Sequence, residues 1–264
     1  MRLKKPSIPY IAWMVIFTII PTVMIFFYAF TDKNGSFSLE AFAKAFGYTN
    51  VFLQSLWIAF ISTVICLVLA YPVGFFMSRQ KKSVQNVLTM LFMIPMWMNF
   101  LLRIYAWVML LQNGGPIDTM LSLLGIHTTL IGNQGAVILG MVYEYLPFMI
   151  LPLYTVMSKI DVRLIEAAED LGCNKLSVMR KVVFPLSIPG IISGITMVFV
   201  PTASTFLVSQ YLGGTNDLMI GDVIDKIFWS DHNTGSAIAL VLMVAILLFL
   251  IILNLFGDEE AIAA

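Results

Sequence analysis

Six long apolar runs, divided by short polar connections, set the pattern of this chain: Ile8–Phe30, Phe52–Met77, Val87–Leu111, Ala136–Met157, Leu186–Leu212 and Ala237–Phe256. A helix needs about 20 residues to cross a bilayer, and every run reaches that length. Backbone polar groups in lipid must be satisfied within the segment itself, which selects helices. The pattern predicts an all-α polytopic membrane protein with six transmembrane helices. Residues 1–264 are expected to form a single transmembrane domain without a separate soluble part. The first run follows Arg2, Lys4 and Lys5, as a signal peptide would. It is longer than the apolar core of a signal, and no small-x-small cleavage site follows at Tyr28-Ala29-Phe30, so it reads as an uncleaved anchor.

The connection at about 158–185 has a pattern of its own. Leu164, Ala168 and Leu171 recur at i, i+4 and i+7, and Ile165 widens that face. Arg163, Glu166, Glu169 and Asp170 fall mostly elsewhere on the wheel. Asp161 is placed to cap the start of this helix. Gly172 follows its last apolar position, where helices often end in a left-handed residue that glycine adopts freely. Asn174 can cap a second short helix carrying Leu176, Met179 and Val183 at helical spacing. Pro185 then opens the next span, where its missing N–H costs nothing. Such a helix–turn–helix between two spans suits a loop that grips another protein; the plainer reading is an amphipathic helix resting on the membrane surface.

Charge orients the spans. Arg2, Lys4, Lys5, Arg79, Lys81, Lys82, Lys159, Arg163, Lys175, Arg180 and Lys181 fall on one side, and only Lys33, Lys44 and Lys226 on the other. Basic residues mark the cytoplasmic side, so both termini and the 158–185 loop are expected there. Composition agrees with a membrane protein, with 59% hydrophobic and 11% charged residues. The formal net charge of +0 gives no footprint for nucleic acid.

Several residue types offer little chemistry. Cys66 and Cys173 lie in unlike environments and read as reduced thiols. Neither they nor His127 and His232 have metal-ligand spacing. No Gly-x-x-x-x-Gly-Lys-Ser/Thr occurs, so the chain has no nucleotide-binding loop of its own. Pro21, Pro72, Pro95, Pro147, Pro152, Pro189 and Pro201 interrupt or border the apolar runs, and each favours a kink. Asp217, Asp222, Asp225 and Asp231 make Gly213–Thr234 an acidic outer loop, suited to a cationic solute or a basic partner, or simply to solubility. Glu144 is the carboxylate inside an apolar run, a costly position that marks a functional candidate. Glu144 and Arg103 each lie eight residues from the outer end of a span, roughly 12 Å deep at 1.5 Å per residue. Two readings stay open: a structural Glu144–Arg103 pair, or a Glu144 that faces the path.

The run Glu166-Ala167-Ala168-Glu169-Asp170-Leu171-Gly172, followed by Val182-Val183-Phe184-Pro185, resembles the EAA signature of ABC-importer permeases. It departs from that pattern at Val182, where isoleucine is usual, and at Phe184, where leucine is usual; both keep an apolar surface. The run Phe52–Arg79 and the segment Pro95-Met96-Trp97-Met98-Asn99-Phe100-Leu101-Leu102-Arg103-Ile104-Tyr105 are similar to B-type permeases of spermidine/putrescine importers. So are Leu146-Pro147-Phe148-Met149, Leu151-Pro152-Leu153-Tyr154, Gly213-Gly214 and Leu218-Met219-Ile220-Gly221.

The resemblance implies the type I ABC-importer permease fold in a bacterial inner membrane. It implies a pore subunit rather than an enzyme, paired with a homologous C-type permease. Two copies of a cytoplasmic ATPase would hold the ATP and magnesium, this chain binding no cofactor, and an extracytoplasmic binding protein would deliver polyamine. Glu166, Ala167, Ala168, Gly172 and Pro185 would form the ATPase-coupling loop. A polyamine offers ammonium groups to aromatic faces, which makes Trp97, Tyr105, Tyr143 and Tyr145 path candidates, with Asn99 and Gln210 as polar partners and Glu144 as a counter-charge. The alternatives are a permease for another small solute, such as phosphonate or ferric ion, and a secondary transporter, which usually carries inverted repeats and ion-coupling carboxylates.

Overall fold

A computed structural model describes residues 7–263 apart from Lys33, His127, Thr215 and Asn216, with side chains described from 9 to 255. Arg2, Lys4, Lys5, Lys33, His127 and the acidic side chains of Asp258, Glu259 and Glu260 therefore lie outside the described set. The described residues are almost wholly helical.

Helix α1 (Ser7–Met14) continues through a π-helical turn, Val15–Ile19, into α2 (Ile20–Ala29). A short α3 (Glu40–Ala45) leads through a 3₁₀ turn into α4 (Thr49–Ser78). Helices α5 (Lys82–Trp97) and α6 (Phe100–Leu111) precede α7 (Pro116–Leu123) and α8 (Gln134–Met157). The loop helices α9 (Val162–Asp170) and α10 (Lys175–Val178) follow, then α11 (Phe184–Ser204), α12 (Leu207–Leu212), α13 (Ile220–Phe228) and α14 (His232–Ala263).

Among the described residues, five helical stretches are long and apolar enough to span a membrane: Pro9–Ala29, Glu40–Ser78, Gln134–Met157, Lys175–Ser204 and His232–Leu255. The sixth is broken. Lys82–Trp97 and Phe100–Leu123 meet at 88°, so the span expected at Val87–Leu111, with a kink favoured at Pro95, is an elbow. The cause is local: Met98 is extended, and the Asn99 side-chain oxygen accepts from the Leu101 and Leu102 N–H groups at 2.9 and 3.4 Å, starting a new helix. The fifth run is corrected. Its helix begins at Lys175, ahead of the expected Leu186, and stops at Ser204, where Thr205 turns extended before α12 begins.

Proline breaks fewer helices than expected. Pro72, Pro147, Pro152 and Pro189 all sit inside continuous helices. The two breaks come three residues after Pro95 and four after Pro201, at Met98 and Thr205.

Helices α4, α8 and α11 pack against one another as the centre of the fold. Their shared core holds Ile58, Cys66, Met77, Met141, Met149, Ile150, Leu153 and Met157, all buried. Close approach depends on glycine: a Cβ on Gly190 would lie 3.0 Å from Val156 Cβ, and one on Gly74 3.3 Å from Leu153 Cβ. Helix α14 packs against α2 and α13. Trp13, Phe17, Phe27, Trp57 and Phe60 remain on the surface, an apolar exterior suited to lipid or another subunit.

Candidate functional site

The 158–185 loop folds from its own capping residues. Asp161 Oδ1 accepts from Arg163 N–H at 3.0 Å, opening α9. Gly172, at φ +84°, closes it. Cys173 N–H donates to Ala168 O at 3.1 Å and Gly172 N–H to Glu169 O at 2.9 Å, the paired bonds of a Schellman cap. Asn174 Oδ1 accepts from Ser177 N–H at 2.8 Å, starting α10. Glu166 and Ala167 are exposed and Ala168 half-buried. Val162, Leu164, Leu171, Leu176 and Phe184 are also exposed, so this subunit leaves an apolar loop surface uncovered.

Two local expectations change. Pro185 stands in the first turn of α11 but does not begin a separate helix. Helical structure runs from α10 through a π turn, Met179–Val183, into α11 without a cap between them. The buried positions of this junction are Val178 and Val183, while Leu176 points to the surface.

A second set of residues ties the loop to the spans. Arg79, at the end of α4, donates from Nη1 to Ile160 O and from Nη2 to Met157 O, both at 3.4 Å. Its guanidinium carbon also lies 5.4 Å from the centre of the Phe75 ring. Met157 is the last residue of α8, and Ile160 lies in the short turn two residues before α9. Gln85 donates from Nε2 to Ser78 O and Gln80 O at 3.1 and 2.9 Å, and accepts from the Tyr154 hydroxyl at 3.0 Å. The α4–α5 turn and the exit of α8 are thereby clamped together. Sequence pattern gave none of Arg79, Gln85 and Tyr154 a clamping role, because the bonds that join α8 to the α4–α5 turn link residues 69 or more positions apart.

Within the expected apolar runs the charged residues are Arg103 on α6 and Glu144 on α8. Arg103 Nη2 is 2.7 Å from Glu144 Oε2, with side chains 7% and 2% exposed. Arg103 Nε and Nη1 and Glu144 Oε1 have no hydrogen-bond partner. The Arg103 guanidinium also stands 5.8 Å from the Phe100 ring centre.

The aromatic candidates do not converge. Tyr143 packs on Trp107 at 5.4 Å, Tyr105 on Tyr211 at 4.9 Å, and Tyr145 is buried beside Thr205. Trp97 is 73% exposed at the elbow. Tyr143 and Tyr145 stand two residues apart on one helix, roughly 200° around its axis at 3.6 residues per turn, so they cannot face one spot. The Asn99 carbonyl oxygen is committed to its cap, and Gln210 is exposed on α12.

The acidic loop is also less uniform than its composition suggested. Asp222 is buried, accepting from Ser209 Oγ at 2.6 Å and Met219 N–H at 2.8 Å. Burial raises its pKa above the usual carboxylate value, against the pull of those two donors. Asp217 accepts from Gly214 N–H at 3.2 Å, and Asp231 from Thr234 Oγ1 at 2.8 Å. Asp225 stays exposed.

Residues 70–258 match the family described as the binding-protein-dependent transport system inner membrane component. The spermidine/putrescine transport system permease protein PotB of Haemophilus influenzae is 37% identical over 253 residues, 90% of this chain and 88% of that one. This chain belongs to that permease family. The PotB protein of Escherichia coli is 35% identical, covering 92% of this chain and 93% of its own length.

The fold of the permease agrees with solved relatives. A bacterial ABC transporter involved in importing the acidic polysaccharide alginate matches with a TM-score of 0.79 at 15% identity, covering 95% of this chain and 93% of that one. An inward-facing methionine ABC transporter matches with a TM-score of 0.56 at 18% identity, covering 81% of this chain and 94% of that one. At those identities the likeness is one of fold. The permease is a multi-pass protein of the inner membrane, with the helix–turn–helix loop ahead of its fifth span.

Proposed function

We propose that this permease forms half of the membrane path of an ATP-driven importer of polyamines, spermidine and putrescine. The observation that carries the reading is the 37% identity to a spermidine/putrescine permease over 90% of the chain. The partners are a homologous second permease, two copies of a cytoplasmic ATPase and an extracytoplasmic polyamine-binding protein. ATP and magnesium belong to the ATPase, and this chain supplies no cofactor site. Both termini and the 158–185 loop face the cytoplasm, in line with the basic residues gathered there.

In this reading the exposed α9–α10 surface, with Glu166, Ala167, Ala168 and Gly172, seats in the ATPase. Closure of the ATPase dimer on ATP moves that surface. The helix that runs unbroken from Lys175 to Ser204 carries the motion into the fifth span, while Arg79 holds the exit of α8 to α4. The buried Arg103–Glu144 pair pins α6 to α8 within the subunit, since both side chains are enclosed by this chain alone.

Uptake by the reconstituted four-component complex tests the reading. ATP-dependent accumulation of radiolabelled spermidine or putrescine is the expected result. Uptake of phosphonate or ferric ion in place of both polyamines would overturn it.

A further inference from the structure

A groove of about 400 Å3 opens where α11 stops, bounded by α13, the start of α14 and Ile25 of α2. Its size lies within the roughly 300–1,000 Å3 of small-molecule sites. Phe206, Phe228 and Trp229 supply aromatic walls, and Asp225 supplies a carboxylate. Ser236 also lines it: the residue is fully buried, yet its Oγ has no hydrogen-bond partner. A buried hydroxyl without a partner is costly unless something fills its capacity. Ser204, the last residue of α11, stands on the same rim, so the negative end of a 21-residue helix adds to the field.

The chemistry of this groove selects its occupant. One carboxylate, a helix C-terminus and three rings repel an anion and attract a cation. No group of three metal-ligating side chains exists among the described residues, which argues against a bare divalent ion. The walls are mostly apolar, which suits methylene groups. An ammonium in this groove would meet the Asp225 carboxylate and aromatic faces, with the unpartnered Ser236 on the same lining.

We propose that the Phe206–Asp225–Trp229–Ser236 groove binds one terminal ammonium of a linear aliphatic polyamine, with its methylene chain along the aromatic wall. The site rests on the polyamine reading above and adds a location for substrate away from the Arg103–Glu144 pair.

The test uses the complete complex in vesicles of phosphatidylcholine and phosphatidylglycerol, which carry no primary amine. Asp225→Asn is expected to raise the KM for spermidine and putrescine about tenfold, the loss of one charge-assisted contact, with a smaller change in kcat. Asp225→Glu should recover most of the affinity, and Ser236→Ala and Trp229→Ala should each raise KM by a smaller factor. Wild-type complex that takes up neither polyamine overturns the functional reading and this site with it. Normal wild-type uptake, with KM unchanged within twofold in Asp225→Asn and Ser236→Ala at wild-type complex yield, overturns the site alone. A KM effect confined to vesicles containing phosphatidylethanolamine also overturns it, since the groove then holds a lipid ammonium.

Discussion

Two buried charges, 2.7 Å apart and short of further partners, concentrate the energetics of this permease at the residue scale. Removing one member leaves the other uncompensated in a low-dielectric interior, a loss of about 3–5 kcal/mol. Glu144→Gln is therefore expected to lower the thermal unfolding midpoint and the yield of the detergent-solubilised complex, and Arg103→Gln in the same chain should restore part of both. Absence of that rescue, with normal assembly and weakened polyamine uptake in Glu144→Gln, would instead give Glu144 a place on the substrate path. A second residue-scale effect is purely conformational. At φ +84° a Cβ on Gly172 would touch nothing within 4 Å, so a substitution there is strained by backbone alone. Gly172→Val should cost on the order of 1–3 kcal/mol locally. The subunit should still insert, while recovery of the ATPase in a pull-down from membranes falls and transport falls with it. Gly172→Asn, which tolerates the left-handed region better, should lose less.

At the scale of elements, the exit of α8 is held by side chains from the turn between α4 and α5. Arg79 supplies the donors for Met157 O and Ile160 O. The bonds are long, so Arg79→Ala is expected to cost only about 1 kcal/mol in stability. Its larger effect should be on coupling: polyamine transported per ATP hydrolysed should fall in an intact complex, with partial recovery in Arg79→Lys. An unchanged ratio would reduce Arg79 to a simple helix cap. The loop helix α9 itself was legible in the sequence because its signals are local, from the Asp161 cap through to the Gly172 stop. The α10–α11 junction was not. Pro185 looked like a beginning, yet the chain entered it already helical through a π turn, which no local pattern announces.

Over the whole molecule, α4, α8 and α11 meet through glycine contacts rather than charge. Gly190→Leu would force a side chain against Val156 Cβ, 3.0 Å from a Cβ, and Pro152 O, 3.2 Å from it. Overpacking of this kind costs about 1–3 kcal/mol, and it should show as aggregation or loss of the monodisperse complex on size exclusion. The same substitution at Gly47, where a Cβ would have nothing within 4 Å, should be tolerated. That contrast separates a packing effect from a general intolerance of leucine.

The sequence by itself determined the membrane class, the six apolar runs and the loop with its caps. Those features follow from composition, run length and contacts within a few residues, which are written locally in the chain. Tertiary structure decided the rest. It buried Asp222 behind Ser209 while leaving Asp225 at a groove with the unpartnered Ser236. It also joined Gln85 to Tyr154 across 69 positions. In each case the deciding neighbour belongs to another helix, and helix packing in lipid is set by close fit and hydrogen bonding between elements rather than by the apolar pattern, which is nearly the same on every face.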